Sequence, residues 1–179
     1  MKTLTLVRNH YVRLTIAVIL LVTVIGNINS KAQAAELPEG ATLTIPSLGI
    51  HAPIVEAYRM VTAQGVLTWN VSTLGMKIGH LENSAWLNTA YDGNIVLAGH
   101  STFPNGAPSI FSALGSIANN AVIILSQDGT DYPYLVTEKK LVAVSDISVI
   151  GQTSDRRLTL LTCASDTTRW VIVAQPTSH

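Results

Sequence analysis

Leu158-Thr159-Leu160-Leu161-Thr162-Cys163, then Ala164-Ser165-Asp166-Thr167-Thr168, then Arg169-Trp170-Val171-Ile172-Val173-Ala174 is the stretch whose reading decides the fold. Two apolar, β-prone runs are joined by a short polar loop, which is the pattern of a β-hairpin. Cys163 and Arg169 flank that loop. Residues that face each other in an antiparallel pair have Cα atoms about 4.5–5.5 Å apart, so the spacing predicts a thiol opposite a guanidinium. A guanidinium there favours the thiolate and offers rigid donors to a developing oxyanion. The chain has 1 cysteine. That excludes an intramolecular disulfide and a cysteine-rich zinc site. It leaves two readings of Cys163, a small buried core residue or a nucleophile.

A cysteine nucleophile needs a base or cation beside it and a group to hold the oxyanion. The candidate bases are His51, His80 and His100; His10 lies in the N-terminal segment and His179 is the last residue. Asn94-Ile95-Val96-Leu97-Ala98 reads as a buried strand that Gly99 ends just before His100. Cys163 closes its own strand in the same way. If the two strands are neighbours and parallel, imidazole and thiol emerge at the same end. His51 and His80 stay open as candidate bases on pattern alone. Asp166 is a candidate to orient His100, but its loop is so polar that a turn role is expected. Trp69, Trp86 and Trp170 read as core residues.

The texture from Leu37 onward is that of a β domain. Residues 41–45 alternate polar and apolar, as a half-buried strand does. Further strands are expected over 54–57, 66–69, 94–98, 121–126, 132–138, 141–144, 158–162 and 170–174, with Gly, Asn, Asp or Pro between them. Helical signal is weak. Ser109 is expected to cap a short turn through Ile110, Phe111, Leu114 and Ile117, and a second short helix is expected over 81–87. About eight strands with few helices point to a closed barrel or a sandwich.

At the other end of the chain, Lys2, Arg8 and Arg13 precede the apolar run Leu14-Thr15-Ile16-Ala17-Val18-Ile19-Leu20-Leu21-Val22-Thr23-Val24-Ile25. A basic flank followed by an apolar stretch reads as an export signal. The run is short against the roughly 20 residues that span a bilayer, and Ala32-Gln33-Ala34 offers an A-x-A cleavage pattern. Residues 1–36 are therefore expected to be a signal peptide or signal anchor with a short linker, and 37–179 a single folded domain. Either outcome places that domain outside the membrane, secreted if cleavage follows Ala34. The chain carries 11 basic and 11 acidic residues, so no electrostatic attraction to nucleic acid is implied. The overall mean hydropathy of +0.35 owes part of its value to the N-terminal segment.

These residues together resemble the sortase family. Thr159-Leu160-Leu161-Thr162-Cys163 matches the family's T-L-x-T-C signature at every fixed position, and Arg169 stands where its arginine opens the next strand. Asn94-Ile95-Val96-Leu97-Ala98-Gly99-His100 resembles the strand that ends in the family's active-site histidine. Ala41-Thr42-Leu43-Thr44-Ile45-Pro46-Ser47-Leu48-Gly49-Ile50 resembles its first strand and the I-P-x-L-x-I element that follows. The resemblance implies a mostly β domain, an eight-stranded sortase barrel with one or two short helices. It implies a cysteine transpeptidase on the outer face of a bacterial cell membrane. Cys163 would attack the Thr–Gly bond of an L-P-x-T-G-like sorting signal and form a thioacyl enzyme, which an amine of cell-wall precursor or a pilin lysine resolves. His100 would be the acid/base, Arg169 the oxyanion-holding cation, and Thr162 a contact to the substrate backbone. Its partners would be surface proteins carrying a sorting signal and the amine acceptor. No metal or organic cofactor is required; some sortases bind calcium, and no acidic cluster here argues for it. The stretch from Tyr58 to Trp86 lacks the plain spacing of the commoner classes and leaves the subclass open.

Two other classes fit part of the pattern. An L,D-transpeptidase also uses a surface cysteine on a β-rich fold, but it places histidine and glycine close before that cysteine. Here Leu161 and Thr162 stand there. The other is an inactive exported β-barrel binding module, against which the joint presence of cysteine, histidine and arginine argues.

Overall fold

The computed structural model describes residues 37–87 and 93–177. The expected export segment, residues 1–36, lies outside the described residues. Among the described residues ten strands follow one another: β1 (Thr42–Ile45), β2 (Ile50–Ala57), β3 (Arg59–Val61), β4 (Leu67–Trp69), β5 (Ile78–Leu81), β6 (Asn94–Ala98), β7 (Val122–Gln127), β8 (Thr130–Ala143), β9 (Arg157–Cys163) and β10 (Thr168–Pro176). Eight of them close a barrel in the order β1-β2-β5-β6-β9-β10-β8-β7, while β3 and β4 form a separate hairpin. Within the barrel, β2 and β5 are parallel, and so are β6 and β9. Parallel neighbours need a crossover. The β3–β4 hairpin lies within the first, and β7 and β8 lie within the second.

Alternation explains the closure. On β9 the side chains of Leu158 and Leu160 turn inward, level with Ile95 and Leu97 of β6 and with Ala174 and Ile172 of β10. Leu43, Ile45, Ile54, Ile78, Ile123, Leu125 and Val136 complete that interior from the other strands. Each such fully buried aliphatic side chain stabilises the fold by about 1.5–3 kcal/mol relative to exposure. The opposite face of the wall carries a smaller cluster. Ala57, Leu81 and Val96 are buried there under Trp69, Val71, Ile150 and Leu161.

Four sequence expectations are corrected. The runs at 132–138 and 141–144 are one strand, β8, because Lys139 and Lys140 continue the ladder opposite Ile172 and Val171. The Lys139 charge is accommodated by the carbonyls of Gly115 and Ile117 at 3.1 and 3.0 Å and by the Trp170 ring. β5 is a strand that the sequence reading missed. Its Gly79 is needed because a Cβ there would stand 3.0 Å from both Ala57 and Leu74. No helix forms over 81–87: the chain leaves β5 into a turn at Asn83, whose φ of 70° breaks helical geometry. The Ser109 segment yields turns and a 3-10 helix over Leu114–Ser116 with no side-chain cap. The Ser109 hydroxyl instead donates to the Gly75 carbonyl. The apolar spacing still serves its purpose, since Phe111, Leu114 and Ile117 enter the barrel core.

Candidate active site

Register places the three candidate residues. The β6–β9 ladder pairs Asn94 with Arg157 and Ala98 with Leu161. Just beyond it, the Gly99 N–H donates to the Leu161 carbonyl at 3.1 Å. The Thr162 hydroxyl donates to the Gly99 carbonyl at 2.8 Å across a sequence separation of 63. The same separation holds for His100 and Cys163, so the parallel register carried one rung further sets imidazole beside thiol. On the other side, Cys163 pairs directly with Arg169 across β9 and β10. Adjacent strands are about 4.7–4.9 Å apart. His100, Cys163 and Arg169 thus form one cross-strand row on the outer face of the wall, opposite in parity to Leu158 and Leu160. Cys163 is exposed, and His100 and Arg169 are half-buried.

His100 and Arg169 are held in place. Gly99 lies so close to the Phe111 ring that a Cβ would stand 2.6 Å from its Cδ2, and the Phe111 N–H donates to the His100 carbonyl at 2.9 Å. His100 Nε2 lies 2.8 Å from the Val71 carbonyl oxygen. Arg169 Nη1 donates to the carbonyls of Ser165 and Thr168 at 3.2 and 3.1 Å. That ties the guanidinium to the hairpin loop and leaves Nε and Nη2 without a hydrogen bond among the described residues.

Thr162 is placed differently from its expected role. Its side chain points to the opposite face from Cys163, is 3% exposed, and has its hydroxyl engaged by Gly99. It joins the two strand ends that carry the imidazole and the thiol. Asp166 sits in the exposed hairpin loop; the partner of His100 is the Val71 carbonyl, 29 residues upstream. A backbone oxygen has no signature in sequence, and only the fold reveals it.

The other two histidines among the described residues lie elsewhere. His51 bonds Thr44 across the β1–β2 ladder, in the open. His80 pairs with Leu97, so it faces the interior on the other side of the wall from His100. Its Nδ1 lies 2.9 Å from Glu56 and its Nε2 2.9 Å from both the Ser84 hydroxyl and the Ala85 carbonyl. That Ser–His–Glu chain has the connectivity of a hydrolytic triad. Yet its imidazole is 1% exposed and stacked edge-on to Trp86, closed to any leaving group. It braces the β2–β5 join. A shallow cleft between the hairpin and β5, lined by Arg59, Trp69, Glu82 and Ser84, holds none of the row. Among the described residues no cluster of three or more His, Cys, Asp or Glu is placed to hold a metal ion.

The sequence model of the Sortase domain matches residues 43–177. The chain belongs to the sortase family. YwpE of Bacillus subtilis (strain 168), itself assigned to the sortases, is 33% identical over 72 residues, which cover 40% of this chain and 69% of that protein. Sortase A of Listeria monocytogenes is 34% identical over 86 residues, 46% of this chain and 38% of its own length. Among solved structures, sortase A of Corynebacterium diphtheriae in a lid-mutant form superposes with a TM-score of 0.64 at 24% identity, covering 82% of this chain and 74% of that one. That likeness is one of fold. The eight-stranded closed barrel is the sortase architecture.

Proposed function

We propose that this sortase-family chain is a cysteine transpeptidase acting outside the cytoplasmic membrane on proteins that carry an L-P-x-T-G-like sorting signal. One arrangement carries the reading: Cys163, exposed, pairs with Arg169 across β9 and β10, and the β6–β9 register continued past Ala98 sets the half-buried His100 on the other side of the thiol. In the first half-reaction the Cys163 thiolate attacks the scissile carbonyl carbon. Arg169 donates to the oxyanion as charge develops on it. The C–N bond breaks, the C–S bond of a thioacyl enzyme remains, and the His100 imidazolium gives its proton to the departing amine. In the second half an incoming amine attacks the thioester, His100 takes the proton from its nitrogen, and the thiolate leaves. Protons and charge balance over the cycle. The amine comes from a cell-wall precursor or a pilin lysine, and the N-terminal apolar segment keeps the domain at the membrane or exports it.

The test is cleavage of a fluorogenic sorting-signal peptide by the full chain, with and without added amine. Turnover that depends on Cys163, together with a peptide–amine adduct by mass spectrometry, supports the assignment. Undiminished turnover by Cys163→Ala refutes it.

A further inference from the structure

We propose that the Val71 backbone carbonyl is a positioning group for His100, fixing the neutral imidazole as its Nε2–H tautomer and making Nδ1 the nitrogen that exchanges protons. A carbonyl oxygen carries no hydrogen, so at 2.8 Å it only accepts, and Nε2 must be the donor. A neutral imidazole then has its lone pair on Nδ1. Among the described residues Nδ1 makes no hydrogen bond, so it is the nitrogen free for the thiol and the amine.

The carbonyl is itself held on several sides. The Val71 side chain packs in the outer-face cluster with Trp69, Val96 and Leu161. Its N–H donates to the Trp69 carbonyl at 3.1 Å, the Asn70 N–H to the Tyr58 carbonyl at 2.8 Å, and the Leu74 N–H to the Val71 carbonyl itself at 3.3 Å. The Trp69 indole donates to the Glu82 carbonyl at 3.1 Å, fastening the hairpin to the turn after β5. The crossover that makes the β2–β5 join parallel therefore does a second job: it carries a fixed acceptor to the imidazole at the end of β6. The orientation is the third member of a triad, supplied by backbone.

This inference rests on the transpeptidase reading for its kinetic arm only. The first measurement is NMR of the full chain labelled with 15N-histidine, with signals assigned by comparison with His100→Gln. The spectra are taken above the pH at which the ring loses its charge, where the expected result is a proton on Nε2 alone. A ring protonated at Nδ1, or one averaging between tautomers, overturns the inference whether or not the chain turns over peptide. The second measurement replaces the Val71–Ser72 peptide bond by an ester, by installing the α-hydroxy analogue of serine at position 72. An ester carbonyl is a weaker acceptor, and the Ser72 N–H that is lost makes no hydrogen bond among the described residues. The expected result is a fall in kcat/KM of roughly tenfold, the effect of weakening one charge-assisted hydrogen bond, carried by kcat. The same ester at position 73, which weakens the Ser72 carbonyl instead, leaves kcat/KM near the native value. Equal turnover by the native chain and the position-72 ester overturns the inference. A native chain that turns over no peptide refutes the proposed function, and the tautomer still decides this one.

Discussion

Gly99→Ala tests how the barrel sets the imidazole. The added Cβ would stand 2.6 Å from Phe111 Cδ2, 2.9 Å from its Cε2 and 3.1 Å from Ile110 Cγ2. Non-bonded carbons rest about 3.5–4.0 Å apart, so something must retreat by roughly 1 Å. The ring is a poor candidate, because Phe111 is 0% exposed and packs in the core with Leu114 and Ile117. Overpacking of this kind costs about 1–3 kcal/mol, and each kcal/mol lowers Tm by about 2–4 °C in domains somewhat larger than this one. If the strain is relieved by moving the strand end instead, His100 moves with it, and a 1 Å misplacement costs about a hundredfold in rate. Thermal unfolding and peptide-cleavage kinetics of Gly99→Ala, Phe111→Leu and the double variant separate the terms. Phe111→Leu removes the clashing ring edge, so the two changes should couple by about 0.5–3 kcal/mol, with the double variant recovering part of the lost kcat. An unchanged Tm and kcat for Gly99→Ala, or strict additivity with Phe111→Leu, refutes the reasoning.

Arg169→Lys keeps the charge but not the planar fork. Its kcat should fall by about 10²–10³, the scale of losing one oxyanion donor, and a value within twofold of native would remove Arg169 from the mechanism. Thr162→Val keeps the shape and deletes the hydroxyl that donates to the Gly99 carbonyl at 2.8 Å. It should destabilise the domain by about 1–3 kcal/mol, read as a lower urea midpoint. Asp155 has its carboxyl pulled down to about 2, first by the hydrogen bonds from Arg157 and then by that from Gln175. A carboxylate depressed on folding adds stability above its ordinary value near 3.9 and loses it as the pH falls toward about 2. Urea midpoints should therefore fall across that acid window in the native chain and fall less steeply in Asp155→Asn; identical slopes would show that the network contributes nothing.

The strands that carry the row were legible because each has a strong local signal. Residues 95–98 are an apolar run that Gly99 ends, 158–161 are leucine-rich up to Thr162, and the Cys163–Arg169 loop has hairpin length. Direct pairing of those two residues followed from local geometry alone. β5 was hidden because its four residues include Gly79 and His80, neither of which favours a strand. They are accepted there only because the Ala57 and Leu74 side chains lie against the first and Glu56, Ser84 and Ala85 satisfy the second. The split of β8 at Lys139-Lys140 was a false boundary for the same reason. The carbonyls that accept the Lys139 ammonium come from residues more than twenty positions away.

Residue types and their order along the chain therefore determined the β class, the family, and the chemistry that a lone thiol, a strand-ending imidazole and a hairpin guanidinium can perform. The tertiary structure alone decided that β6 and β9 are parallel neighbours, that Thr162 turns inward, and that a carbonyl from the β3–β4 crossover meets His100. The physical reason is range. Propensity and alternation act between residues a few positions apart, whereas strand pairing and backbone hydrogen bonds across a barrel join positions whose proximity exists only once the barrel has closed.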